Sequence, residues 1–262
     1  MIDHNFKKKF GQNFLQDNNI IRKIVETANI EKDSLIIEIG PGRGALTKHL
    51  VEKAQVLAYE IDIELKDYLE KEFENNTVDF IFEDFLQRNI KDDIKKYKYN
   101  KLYVVANLPY YITTPIITKL IEEKIDLEKM VIMVQKEVGE RFSATKGTKD
   151  YSSITVFLNY FFKIKKEFIV SKNAFIPKPN VDSIIISLNK KENKPNVIDE
   201  NHFFKLVRDS FKQKRKTLKN NLKDYDFEKV YEILKRNNLS ESVRAEELPL
   251  EIFVEISNNF KL

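Results

Sequence analysis

The chain has 262 residues, 42% apolar and 11% aromatic, enough for one large domain or a main domain with a small companion. Basic residues number 45 against 41 acidic, so the net charge of +4 permits a nucleic-acid partner without establishing one. The absence of cysteine excludes disulfides, thiol catalysis and cysteine-based zinc sites, and the histidines at 4, 49 and 202 are too scattered to suggest a metal centre.

The N-terminus is too polar for a signal peptide and no run approaches a membrane span, so a soluble cytoplasmic protein is expected. Residues 1–17 are basic and polar. Lys7, Lys8 and Lys9 precede Phe10-Gly11-Gln12-Asn13-Phe14-Leu15, whose phenylalanines are expected to fold the segment back onto the domain. Ile20, Ile21, Ile24 and Val25 have helical spacing within Asn18 to Ala28, with Asn18 as the expected N-cap. A strand over Leu35–Ile39 then runs into Gly40-Pro41-Gly42-Arg43-Gly44, followed by a helix through Ala45, Leu46, Leu50 and Val51. Glycines there let backbone N–H groups approach a ligand at a helix start. The pattern is G-x-G-x-G, not the G-x-G-x-x-G of dinucleotide-binding folds.

The next strand, from Gln55, ends on Glu60, about 20 residues after Gly40, where a carboxylate is placed to bind ribose hydroxyls. A helix over Ile63–Phe73 follows. The third strand, Val78–Phe82, leads to Asp84, an acceptor for an adenine amino group, with Phe85 beside the ring. After a lysine-rich helical stretch, the strand Leu102–Ala106 delivers Asn107-Leu108-Pro109-Tyr110. An apolar strand stopping at an amide, then a proline and an aromatic ring, describes a pocket for a flat, amino-bearing ring. The Asn107 oxygen and the Leu108 carbonyl would each accept one amino hydrogen. Pro109 fixes φ and extends Leu108, and Tyr110 stacks on the base.

Thr114 is expected to cap a helix with Pro115 at its first position. A strand over Met130–Val134 leads into Gln135-Lys136-Glu137 and a helix ending near Phe142. Ser152–Phe162 reads as helix, and Ile164–Val170 and Val181–Leu188 as strands. The proline-braced loop between those strands carries Phe175, the expected second face of the base sandwich. A base enclosed on both faces has to be flipped out or already unstacked. The linker Asn189–Glu200 opens an all-helical end, with helices from Phe203 to about Lys223, over Phe227–Asn237 and over Leu250–Asn258. The first carries Lys212, Lys214, Arg215, Lys216, Lys219 and Lys223, a cation density suited to a nucleic-acid backbone.

Alternating strands and helices, a glycine turn after the first strand and acids closing the next two describe a nucleoside-cofactor site at the carboxyl ends of an open parallel sheet. Proteins that bind NAD or S-adenosylmethionine share that outline. The ordered set of Phe10–Leu15, Glu38–Gly44, Asn107–Tyr110 with Thr113-Thr114-Pro115, Gln135–Glu137 and Phe175–Asp182 is more specific. It resembles the small-subunit (16S) ribosomal RNA adenine N6,N6-dimethyltransferases over roughly residues 6 to 223. The resemblance implies an α/β fold: a Rossmann-like class I S-adenosylmethionine-dependent methyltransferase domain over 1–190 and a small all-helical RNA-binding domain over 191–262. It implies S-adenosyl-L-methionine as cofactor and no metal. Asn13 and Leu15 would line the cofactor site, Gly40 and Gly42 would lie under the methionine portion, Glu60 would hold the ribose and Asp84 the adenine. Asn107 would stand where cofactor and target base meet, and Lys212, Lys214, Arg215, Lys216 and Lys219 would touch RNA.

The implied substrate is a pair of adjacent adenosines in a hairpin near the 3′ end of 16S rRNA, each methylated twice during small-subunit biogenesis. The implied partner is the immature 30S subunit, met by a monomer. Two alternatives share the chemistry or the fold: a 23S rRNA adenine dimethyltransferase conferring macrolide resistance, and a ribosome-assembly factor. The Pro-Gly of the glycine turn, Leu108 and the Phe175 loop favour the small-subunit type. A DNA adenine methyltransferase would more typically carry Asp-Pro-Pro-Tyr.

Overall fold

The strand expected over Leu35–Ile39 spans Ser34–Ile39, and every one of its residues is buried. Such unbroken burial marks a strand covered on both faces, as in a parallel α/β sheet. The computed structural model describes residues 13–260, so the lysine run and Phe10-Gly11-Gln12 lie outside the described residues. The chain forms two compact units. One comprises the residues up to Gly139 together with Lys165–Asn189, the other Glu140–Ile164 and the residues from Lys190 onward. The division differs from the expected boundary at 190 in one segment. Residues 140–164 join the second unit because the helix Ser153–Phe161 buries Val156 and Tyr160 in the core of the C-terminal helices.

The strands are β1 (Phe14–Leu15), β2 (Ser34–Ile39), β3 (Gln55–Tyr59), β4 (Val78–Ile81), β5 (Lys101–Asn107), β6 (Lys129–Gln135), β7 (Phe162–Val170), β8 (Phe175–Ile176) and β9 (Ser183–Lys190). Seven of them form one sheet in the order β4-β3-β2-β5-β6-β9-β7. The first five are parallel, and β9 runs antiparallel to β6. Because β2 lies between β3 and β5, the strand order reverses there, and a crevice opens at the carboxyl ends of β2 and β5. Sheet-type hydrogen bonds persist past the strand ends: Gly40 N–H donates to Tyr59 (2.9 Å), Glu60 N–H to Ile81 (2.9 Å) and Leu108 N–H to Met133 (3.3 Å). The glycine turn, the acid and the Asn-Leu step are thereby fixed to the ends of the buried parallel strands. In the same unit β1 pairs antiparallel with β8, matching Leu15 to Phe175.

Local rules explain where elements depart from expectation. Asp17, not Asn18, caps the first helix, its carboxylate accepting from Asn19 and Ile20 N–H. The helix after the glycine turn is a single turn, Thr47–Leu50. The helix expected from Thr114 begins at Thr113, whose hydroxyl donates to the Pro109 carbonyl (3.3 Å). Pro115 sits inside that first turn, where its missing N–H breaks no helical bond. The long basic helix is interrupted: Glu200–Ser210 is helical, 211–217 is not, and Leu218–Asn221 forms a new turn. Residues 212–216 are all exposed and offer no apolar face to bury. Asn221 holds the break, its amide donating to the Ser210 and Gln213 carbonyls while its oxygen accepts from Gln213 N–H. No helix among the described residues is long and apolar enough to cross a membrane.

Candidate active site

The crevice at the sheet's carboxyl end is floored by the turn after β2. Gly40, Gly42 and Gly44 all adopt positive φ, at +74°, +58° and +77°. At Gly42 the requirement is also steric, since an added Cβ would lie 2.6 Å from the Phe14 ring. The turn and β1 therefore interlock, and only a glycine lets the aromatic ring close over the backbone. Asn13, Leu15, Gly40 and Gly42 from the expected cofactor set line this groove, together with Glu60 and Asn107. Ile21, Ile24, Leu46 and Ile61 supply apolar walls.

Two acids meet at the groove's base, and only one was singled out in the sequence. Glu60 is buried, its two oxygens accepting from Gly42 N–H and Asp62 N–H at 2.9 Å each. It thus ties the glycine turn to β3, and the carboxylate still has acceptor capacity for a hydroxyl. Burial raises its pKa. Glu38, within β2, is buried and accepts from the Thr47 hydroxyl at 2.7 Å. Burial, reinforced by the charge of Glu60, pushes the Glu38 carboxyl up to about 8 despite that hydrogen bond. A charged residue inside an otherwise apolar strand was the available signal for it.

A pH dependence follows. The folded chain holds the Glu38 proton more tightly than the unfolded chain, so this stabilising term is complete below about 4.5 and lost as pH rises through about 8. Glu38→Gln keeps the acceptor for Thr47 and removes the titration. Between pH 5 and 8 wild type is expected to lose stability relative to Glu38→Gln, by up to about 1.4 kcal/mol per pH unit. Thermal unfolding of both proteins across that range checks it; parallel curves would refute it.

The stretch from Asn107 to Tyr110 forms the opposite wall. Asn107 Nδ2 donates to the Asn13 carbonyl at 3.1 Å. Facing a carbonyl, the amide can present only its nitrogen, which turns Oδ1 away as an acceptor with no partner among the described residues. The Leu108 carbonyl likewise accepts no hydrogen bond from them. Pro109, at φ −57° and ψ 130°, carries the chain from that carbonyl into the turn Tyr110–Ile112. Two adjacent unpaired acceptors beside an aromatic ring can recognise an amino group on a flat ring.

Other expected residues stand elsewhere. Asp84 caps the turn Phe85–Gln87, its carboxylate accepting from Leu86 N–H at 2.9 Å. Phe85 is buried edge-on against Tyr59 and so is not beside a ligand ring. Phe175 requires a larger correction. It is only 2% exposed and packs in the core cluster that holds Leu15, Val170 and Ile185, so it offers no free face to a base. Its strand partner is Leu15, and an apolar ring paired with a core residue is drawn inward. In the second unit, Lys219 pairs with Glu241 and Lys212 lies 3.8 Å from Asp209. Lys214, Arg215 and Lys216 are exposed and form no ion pair among the described residues. Besides Glu38, sequence reasoning missed Ser183, whose hydroxyl meets that of Tyr110 at 2.7 Å. No local signal announces a partner 73 residues away.

Comparison with known proteins agrees with this geometry. The model of the ribosomal RNA adenine dimethylase family matches residues 3–262. The chain is 44% identical to the ribosomal RNA small subunit methyltransferase A of Macrococcus caseolyticus, over 98% of this chain and 90% of that protein. It is 46% identical to the protein of the same description from Streptococcus pneumoniae, over 98% and 92%. Among solved structures, a dimethyladenosine transferase from Plasmodium falciparum superposes with a TM-score of 0.78 at 27% identity, covering 93% of this chain and 95% of that one. The 23S rRNA methyltransferase ErmE gives 0.73 at 25% identity, covering 93% and 98%.

Proposed function

The chain belongs to the ribosomal RNA adenine dimethylase family, and from that premise we propose that it methylates the N6 nitrogens of two adjacent adenosines in small-subunit (16S) ribosomal RNA. The observation that carries this reading is the pair of free acceptors, Asn107 Oδ1 and the Leu108 carbonyl, at the switch point of the sheet. The groove suits S-adenosylmethionine: a buried carboxylate at the end of β3, a turn of positive-φ glycines and apolar walls. Glu60 would hold the ribose, the Gly40–Gly42 backbone the methionine portion, and Asn13 and Leu15 the near side. When bound, that cofactor supplies an electrophilic methyl group on a sulfonium.

The chain's own task is to make a poor nucleophile reactive. The lone pair of an adenine amino group is delocalised into the ring. Asn107 Oδ1 and the Leu108 carbonyl each accept one amino hydrogen, which favours a pyramidal nitrogen with its lone pair exposed. Tyr110 stacks on the base, an interaction of about 1–3 kcal/mol. Catalysis is then chiefly orientation, and no strong base is needed. Phe175 serves from behind: its pairing with Leu15 holds β1, and β1 holds the Asn13 carbonyl that orients Asn107. Each transfer moves the methyl from sulfur to nitrogen and releases one amino proton to water, so after one methylation a single amino hydrogen remains and the second transfer proceeds with only one acceptor engaged.

The proposed partner is the immature 30S subunit, met in the cytoplasm by a monomer. Labelled S-adenosylmethionine, offered with unmethylated small subunits, large-subunit RNA or DNA, tests the substrate. Label recovered as dimethyladenosine in small subunits supports the reading. Label only in large-subunit RNA, the RNA on which the 23S rRNA methyltransferase ErmE acts, would overturn it. The exposed loop of Lys214, Arg215 and Lys216 is proposed to contact RNA phosphates. Replacing all three by glutamine is expected to weaken RNA binding and to reduce the slope of log K against log salt by about 2–3. Filter binding across a salt series reads this; an unchanged slope with a lowered melting temperature would make the loop structural.

A further inference from the structure

The Tyr110 ring is held at both ends. Its backbone follows Pro109, and its hydroxyl lies 2.7 Å from Ser183 Oγ. Ser183 is itself embedded in the sheet: it is fully buried, opens β9 and stands opposite Gln135 in the ladder with β6. The preceding residue fixes it further. The Asp182 carboxylate accepts from Lys172 N–H at 2.9 Å, and the Asp182 carbonyl accepts from Lys136 N–H at 3.0 Å. Asp182-Ser183 therefore joins the tip of β5, the start of the helix after β6 and the loop after β7 at one point.

A ring attached only through its Cβ can rotate about two side-chain bonds, and stacking on a base would have to freeze that motion. A tether at the far end removes that freedom before the base arrives, so less of the stacking energy is spent on ordering. We propose that Ser183 is a positioning residue for the methyl-transfer reaction, fixing the plane and depth of the Tyr110 ring against the target base through their shared hydroxyl hydrogen bond. Ser183 does not touch the base, because its own hydroxyl is buried and engaged. The inference rests on the reading of Tyr110 as a wall of the base site.

A double-mutant cycle tests it. Ser183→Ala, Tyr110→Phe, the double variant and Tyr110→Ala are assayed on unmethylated small subunits at saturating S-adenosylmethionine. Ser183→Ala and Tyr110→Phe are each expected to lower kcat/KM for the subunit by about three- to tenfold, the worth of one hydrogen bond. The double variant should lose no more than either single variant, and cofactor affinity by calorimetry should stay unchanged. A target-site 2-aminopurine in an RNA hairpin should fluoresce more brightly with Ser183→Ala than with wild type, reporting poorer stacking. Tyr110→Phe removes the same bond without disturbing β9, so a poorly folding Ser183→Ala still leaves the test decisive. Losses that multiply in the double variant would overturn the inference. So would Tyr110→Phe at wild-type rate alongside an impaired Tyr110→Ala. Tyr110→Ala at wild-type rate would instead remove the base-wall reading itself, and the inference with it.

Discussion

Asn107→Ala is expected to lower kcat on small subunits by about two to three orders of magnitude, the loss typical when one preorganised hydrogen-bonding group is removed from a reacting centre. The substitution deletes Oδ1, one of two acceptors for the amino hydrogens, together with the Nδ2–H that donates to the Asn13 carbonyl. Cofactor affinity should change by less than about tenfold, because the glycine turn and Glu60 do not depend on this amide. Asn107→Asp separates the two losses. It keeps an acceptor but sets a carboxylate against the Asn13 carbonyl, so its rate should fall between wild type and alanine. Single-turnover rates with calorimetric cofactor titrations check both variants. A wild-type rate for Asn107→Ala would remove the residue from the chemistry, and a collapse of cofactor affinity alone would reassign it to binding.

The parallel strands were legible because burial on both faces demands apolar runs, and the site was legible where those runs stop. Glu60 and Asn107 each end an apolar strand with a polar side chain, and a buried sheet tolerates such a stop only at its edge or at a site. Glycines at 40, 42 and 44 were equally visible, since glycine takes the positive φ found there without strain. What stayed hidden depends on partners far along the chain. Phe175 looked like a free aromatic on a proline-braced loop, but its fate was decided by Leu15. The basic segment had the composition of one helix, but Asn221 captures the carbonyls of Ser210 and Gln213 and breaks it in two. The segment 140–164 follows the sheet in sequence, yet its helix carries Val156 and Tyr160 into the second unit's core.

The pairing of β1 with the glycine turn yields the other large effect. Gly42→Ala is expected to weaken S-adenosylmethionine binding by at least about tenfold and to destabilise the protein by about 2–5 kcal/mol. Two terms add. An alanine at φ +58° carries left-handed strain of about 1–2 kcal/mol, and its methyl would stand 2.6 Å from the Phe14 ring, an overpacking worth about 1–3 kcal/mol. Relief requires Phe14 to move, and Phe14 neighbours Asn13, so the anchor of Asn107 shifts with it. The same displacement disturbs the Gly42 N–H that Glu60 holds. Gly40→Ala provides the contrast, for its φ of +74° imposes similar strain but a Cβ there would meet nothing within 4 Å. In unfolding experiments on the ligand-free protein, Gly42→Ala should therefore cost more than Gly40→Ala. In a Phe14→Ala background the excess should vanish, because the ring that the methyl strikes is gone. Should Gly42→Ala cost the same with and without the Phe14 ring, the interlock between β1 and the turn carries no energy, and strain in the backbone alone explains the glycine.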